Sequence, residues 1–516
     1  MNPLATGRAR PAHALALAAL LLASPAWAAK PAATPPPAPA APARVDTTAW
    51  SDIDARLASN DWKGSAEAAD ALISGSKPAL HAGAWARLGR ALQLGGFDYA
   101  ALTAYRESAR LDPKAAAEFY GFALDLAESL TEDAWLGPVV GADFGVPMDD
   151  ATRSRVALAA AKGEFARGSW VQTTSLLPLV SAASPKHLDA EVLRGVALAQ
   201  NGKYEDALIP LLTSYEDARR SKRDPHYVNT LALNIARTFF AAGNFAQAMA
   251  YYDQVSRDDP SWPEAFFERA WAHFRIDDMD GTIALLMTHG SPFFANDYFP
   301  EADLLRAQAF FLLCYFPEAK KSIDSFQAHY TPVRDALRAT LGTLDVASAL
   351  ADARAAAKGQ ATKLPGPLMA RYTTDDRLAD TLKALDRADG EIARLSGGGW
   401  ADRAKGLLQE RRDARAKAEG QRVLDMATDA RDQLTEMLSD IELTRVDLLT
   451  YQSDLYTQAI GTGTTQILED PSGRLRALHK KGKEVWPFEG EYWLDEVGYY
   501  HIDAGSACPT KLQRGQ

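Results

Sequence analysis

The chain is poor in cysteine: its 516 residues include two, Cys314 and Cys508. Two cysteines cannot supply the disulfide framework of a small exported fold, so packing has to hold the core together. From the sequence, a Cys314–Cys508 bridge and two separate thiols are both open. A basic excess is also missing. The 56 Lys and Arg are outnumbered by 67 Asp and Glu, for a net charge of −11. A nucleic-acid binder needs a basic stripe to displace counterions, so that class is excluded and no nucleic-acid partner is expected. Beyond the N-terminal segment, no stretch reaches the roughly 18 apolar residues of a membrane-spanning helix, so no transmembrane span is expected after that segment is removed.

Catalytic patterns are equally scarce. Ser74-Gly75-Ser76-Lys77 satisfies S-x-x-K, but its companions S-D-N and K-T-G are absent, and the residues fall at an expected turn between helices. The nine histidines are scattered, without H-E-x-x-H or a cysteine–histidine cluster. Gly461-Thr462-Gly463 lacks the lysine of a phosphate-binding loop and reads as a helix stop. The reading is therefore a protein that is not an enzyme, with no catalytic residue, cofactor or metal.

What the sequence does contain begins with a targeting segment, residues 1–28. Arg8 and Arg10 give it a positive start, residues 13–23 an apolar core, and Ala26-Trp27-Ala28 a small-x-small cleavage site. The expectation is export to the periplasm or cell envelope. No cysteine follows the cleavage site, which argues against a lipid-anchored mature end. Residues 29–45 form a Pro/Ala linker without a packable face.

Helical periodicity runs from about Trp50 to residue 460 with no sustained strand-like alternation, so the fold class is all-α. Internal repetition sharpens this. Trp85, Leu88, Gly89, Leu92, Ala101, Tyr105 and Pro113 fall at fixed offsets in residues 82–113. The same frame returns at 154–187 (Gly168), 188–221 (Gly195, Gly202, Tyr204, Ala207), 229–262 (Ala236, Gly243, Phe245, Ala248, Tyr252, Pro260), from Pro263, and at 300–333 (Ala307, Phe316, Ala319). Degenerate copies are expected at 46–79 and 116–136. This pattern resembles the tetratricopeptide repeat (TPR) superfamily over 46–333: 34-residue helical hairpins whose small residues let two helices approach while aromatics fill the gap to the next turn. The resemblance implies an α-solenoid with a concave and a convex side.

The remainder is read as a long helical region, 334–460, and an aromatic tail, 461–516. An amphipathic helix over 373–396 ends at Ser396-Gly397-Gly398-Gly399, and a second helix runs from about Trp400 to Ile460. Ala427, Leu434, Ile441, Leu448 and Leu455 recur every seven residues, with Met437 and Tyr451 in a second seam, a coiled-coil stripe. Its partner is either the 373–396 helix folded back or another chain, which would give self-association; a solvated long helix is the remaining alternative. In the tail, the basic run 479–483 reads as a solvated turn, with contact to anionic lipid or wall polymer as the alternative. The aromatic density from Trp486 to Tyr500 predicts a segment that packs back on a helical surface.

In the superfamily, positions 2, 5, 9, 12 and 13 of each first helix line the concave face. Carried onto this chain, they give Leu233, Arg237 and Phe240, then Phe267, Trp271, Phe274 and Arg275, then Leu304, Gln308 and Phe311. The resemblance thus implies a groove lined by Phe240, Phe267, Trp271, Phe274 and Phe311, with Arg237 and Arg275 at its edge. It would take a peptide or helix of another envelope protein, or be filled by the chain's own tail or tight superhelical packing. Pro300-Glu301-Ala302 with Cys314, and the stretch 486–500, also resemble periplasmic tetratricopeptide proteins of deltaproteobacteria of the adventurous gliding motility type. The function expected is a scaffold or adaptor for envelope proteins, within such a machine; the alternative is an envelope-biogenesis regulator acting on cell-wall or outer-membrane assembly enzymes.

Overall fold

The computed structural model describes residues 50–294, 298–462, 492–493, 495–502 and 505–508. The expected signal segment, the linker, the basic run 479–483 and residues 486–488 lie outside the described residues. Among the described residues every regular element is a helix and no strand occurs. The chain divides into two compact units, each combining a block of repeats with a later stretch: 50–222 with 379–418, and 223–378 with 419–508.

In the first unit the hairpins are α1 Ser51–Ala58 with α2 Trp62–Ile73, α3 His81–Leu94 with α4 Asp98–Leu111, α5 Tyr120–Ser129 with α6 Asp133–Val140, α7 Asp150–Ala166 with α8 Trp170–Leu176, and α9 His187–Gln200 with α10 Tyr204–Arg220. In the second they are α11 Pro225–Ala241 with α12 Phe245–Tyr252, α13 Trp262–Arg275 with α14 Met279–His289, and α15 Pro300–Leu312 with α16 Phe316–Leu341. Consecutive helices pack side by side within each unit, the solenoid arrangement of a tetratricopeptide fold.

One backbone device turns every hairpin. Asn60, Gly96, Thr131, Gly168, Gly202, Gly243, Asp277 and Cys314 sit between the paired helices with φ from 55 to 78°. Each holds the same place in the repeat frame read from sequence, except Thr131, one residue later than the 116–136 copy puts it. Glycine adopts this left-handed conformation without a Cβ clash. Thr131 and Cys314 hold it under strain that the packed helices on either side have to offset.

The first unit is completed by residues that follow the repeats. Helices α17 Val346–Ala357 and α18 Gly366–Thr373 lead to α19 Asp376–Arg394 and the 64-residue α20 Gly399–Thr462. The part of α19 from 379 and the start of α20 form a hairpin, tied by Arg412 to Asp389 at 2.7 Å. Ala384, Ala388, Leu395, Trp400, Ala404 and Leu408 join one core with α1 to α7. Polar contacts fix the register. Helix α4 begins after Phe97, which offers no capping oxygen, and its buried first-turn N–H groups go to Glu391, which accepts from Tyr99 and Ala100 at 2.9 Å each. Glu132, 2% exposed, accepts from Tyr99 Oη, Arg411 and Arg415. Arg403 donates to Asp70 at 2.6 Å and to Ser74 at 2.8 Å.

In the second unit the predicted heptad seam is buried, but its partner is neither of the two expected. Ala427, Leu434, Ile441, Leu448 and Leu455 are at most 7% exposed. Residues 419–455 of α20 pack along α16 and α17 of the same chain: Arg445 pairs with Asp324 at 2.9 Å and hydrogen-bonds Gln327, while Tyr451 lies 5.6 Å from the Phe316 ring. Gly420 lets the helix come close enough that a Cβ there would stand 2.1 Å from the Val346 carbonyl oxygen. The described tail packs back, though through Val497, Gly498 and Ile502, while Trp493 and Tyr499 stay exposed. Val497 is buried, Gly498 N–H donates to Thr288 Oγ1 at 3.1 Å, Ile502 packs beside Met279, and Ala507 N–H donates to the Leu313 carbonyl at 3.0 Å. A Cys314–Cys508 disulfide closes it, so the two thiols are paired.

His289 sits in this unit among the rings of Phe266, Phe267, Phe294 and Phe299, with centroids 4.8 to 6.1 Å away. Both its ring nitrogens are shielded and without a hydrogen-bond partner. Burial, with Arg306 nearby, lowers its pKa to about 3.

Three outcomes are expected. Glu391→Ala strands two N–H donors and should cost about 2–3 kcal/mol in urea unfolding of the first unit, with Glu391→Gln losing about half as much. Under non-reducing conditions Cys508→Ser should cost roughly 2–4 kcal/mol, whereas Cys314→Gly should melt above it, because glycine relieves about 1 kcal/mol of turn strain. The unfolded His289 imidazole binds a proton below pH 6.5 and the folded one does not. Its stability contribution is therefore complete above pH 6.5 and declines as pH falls toward 3, by on the order of 2 kcal/mol at pH 5. Melting curves of His289→Phe should show a shallower acid loss.

Candidate protein-binding faces

The residues expected to line a groove sit on the first helices α11, α13 and α15. Phe267, Trp271 and Phe274 share one face of α13 and one aromatic cluster with Trp262 and Phe299. The Trp271 and Phe274 rings meet edge-on at 5.7 Å. Phe240 turns instead to Phe245 at 5.1 Å, and Phe311 to Phe316 at 6.3 Å and Tyr451 at 6.2 Å. Three of the five aromatics are thus brought together and two are paired elsewhere.

The two arginines differ sharply. Arg237 is committed inside the unit: its Nε donates to both Glu268 oxygens at 3.0 and 2.9 Å, and it pairs with Glu264 at 3.0 Å. Burial works against its charge, but the two carboxylates outweigh burial and hold the guanidinium above its ordinary pKa. The same burial raises the carboxyl of Glu268. At Glu264 burial pushes up, yet Arg237 and Arg371 overcome it and hold the carboxyl low. Arg371, on α18, reaches Glu264 at 3.5 Å and stacks 5.7 Å over Phe299, so α18 lies against the start of α13. The described tail residues lie against α14 and the end of α15, with Gly498 beside Trp262 and with Ile502 and Phe274 packed on one apolar cluster. What stays accessible is the far end: Trp271, Phe274, Gln308 and Phe311 are half-buried, while Arg275 is exposed and stacked 4.8 Å over Phe245. Trp271 Nε1 has no acceptor.

Sequence reasoning missed a second face, in the first unit. A recess of about 630 Å³ opens between the helical turns 113–119, α5 and the start of α7. Phe122, 36% exposed, and Met148 give it an apolar floor, and Glu118, Asp125 and Asp149 an acidic rim, against one cation, Lys114. Arg90 stacks 4.1 Å over the Phe122 ring and orients it. Asp125 is held by Arg155 at 2.7 Å, and Glu118 by Arg87 at 3.2 Å. Asp149 caps α7; the Thr152 backbone N–H keeps its carboxyl below the ordinary range. The signal was present: Glu118, Gly121 and Asp125 take concave-face positions once the 116–136 copy is shifted by the one residue that Thr131 reveals.

Among the described residues no group of three or more His, Cys, Asp or Glu could hold a metal ion, and no helix is long and apolar enough to cross a membrane. No family model matches the chain, and no curated protein matches it. Solved structures are similar to it, two of which are given. One, a crystal structure of nearly identical TPR-like repeats of a Podosopora anserina kinesin light chain, is 17% identical with a TM-score of 0.30, over 36% of this chain and 98% of that one. The other, the APC/C hetero-tetramer Cut9–Hcn1, is 13% identical with a TM-score of 0.21, over 77% of this chain and 84% of that one. Neither superposition adds to what the hairpins themselves carry. The in-frame left-handed turns and the stacking order of the hairpins give each unit the helical-hairpin solenoid fold.

Proposed function

We propose that the chain is an exported, non-catalytic scaffold that holds another protein against the first-helix face of its first unit. The observation that carries this reading is the recess at Phe122. It offers an exposed aromatic ring, pre-oriented by Arg90, inside a rim of three carboxylates, on the side where helical hairpins of this kind are expected to be concave. A segment with an apolar anchor suits it, because aromatic anchors supply most interface energy. The accessible end of the second unit, at Trp271, Phe274 and Arg275, is a second contact for the same partner class. Work in the periplasm or cell envelope is supported by the signal-like N-terminus and by a disulfide, which persists in an oxidising compartment. The gliding-motility likeness rests on Pro300-Glu301-Ala302, Cys314 and the stretch 486–500, of which 486–491 and 494 lie outside the described residues.

Co-purification from a crosslinked envelope fraction tests the reading. Phe122→Ala should weaken capture about tenfold, or roughly 1.4 kcal/mol, with an unchanged melting temperature. Undiminished capture by that variant removes the recess as the site. Trp271→Ala should also lower stability, by about 3 kcal/mol, since the ring belongs to an aromatic core. Recovery of motility proteins, as against wall or outer-membrane assembly enzymes, separates a machine component from a biogenesis regulator.

A further inference from the structure

Between Val446 and Ile460, helix α20 carries two apolar faces. One, with Leu448 and Leu455 at 1% and 7% exposure, fixes the helix to its own unit. The other bears Val446, Leu449, Tyr456 and Ile460, exposed by 56, 54, 51 and 82%. Val446, Leu449, Ser453, Tyr456 and Ile460 follow one another at intervals of three, four, three and four, the knob spacing of a two-stranded coiled coil. At about 100° per residue, this stripe lies roughly 120° around the helix from Leu448. The side chains that anchor α20 are therefore not those the stripe presents.

We propose that the stripe is where two copies of this chain pair, helix against helix. Three observations favour a second copy as the occupant. A two-fold contact has to be self-complementary, and Val446 and Ile460 stand seven residues either side of Ser453, so the stripe can meet itself. Its flanks at Thr450, Gln452 and Thr457 are uncharged, and the flanking Arg445 is neutralised by Asp324 at 2.9 Å and Glu442 at 3.5 Å. In a chain of net charge −11 this is a surface that two copies can share without like-charge repulsion. The exposed run is also about 21 Å long, and contiguous apolar surface of that kind marks an interface. The pairing is independent of the recess at Phe122, and its failure would leave that reading untouched.

Sedimentation equilibrium of the full chain, with its disulfide intact, tests it. The wild type should show twice the chain mass at micromolar concentration. Leu449→Glu combined with Tyr456→Glu should weaken association at least tenfold at unchanged melting temperature, because both side chains are exposed. Mild oxidation of Ser453→Cys should yield an inter-chain crosslink, and Asp447→Cys, off the stripe, should not. A wild type that stays monomeric overturns the proposal. So does a charged variant that loses stability as a monomer, which would mean that the chain's own residues 463–491 cover the stripe.

Discussion

A two-helix hairpin cannot bury its apolar sides alone; every hairpin here is stable only because something lies against it. Inside each block the next repeat does so. At the exposed flanks the cover comes from chain that follows the repeats. Trp400 and Leu408 join the core of α1 to α7, α18 and α20 lie on the repeats of the second unit, and the tail runs along α14. Most of the architecture follows from that requirement for cover.

The covering segments are located by charge as well as by apolar fit. Glu391 serves as the N-terminal cap that α4 lacks, Glu132 gathers two arginines from α20, and Arg403 reaches Asp70 and Ser74. Buried ion pairs recover little net energy after desolvation, whereas losing one partner is costly. Their effect is to specify one register for helices that could otherwise slide by a turn.

The repeat frame was readable because it rests on local chemistry. Gly168, Gly202 and Gly243 announce the turns, and Asn60, Asp277 and Cys314 occupy the same place without being glycine. Helices α17 and α18 were not readable: they are short and Ala- or Pro-flanked, and their importance lies in what they touch. The heptad seam was legible as apolar, but which surface buries it is decided by Asp324 and Gln327, over a hundred residues earlier. Likewise, position rules put Phe267, Trp271 and Phe274 on one face of α13, but could not show that they form an aromatic cluster with Trp262 and Phe299, that Arg237 is engaged by Glu268 or that Arg371 arrives at Glu264. The recess at Phe122 escaped because its repeat is degenerate and its register is offset by one residue.

The assignment of residues 379–418 to the core of the first repeats has a consequence for how the molecule is made. Tyr99 waits for Glu391, a partner 292 residues later in the chain. Contacts that close such long loops form late, since the entropy of closure comes before the reward. A polypeptide emerging from its amino end presents five hairpins with an unfinished flank until more than three quarters of it has appeared. For that interval the apolar flank of the early hairpins stays uncovered, the condition under which wrong contacts form.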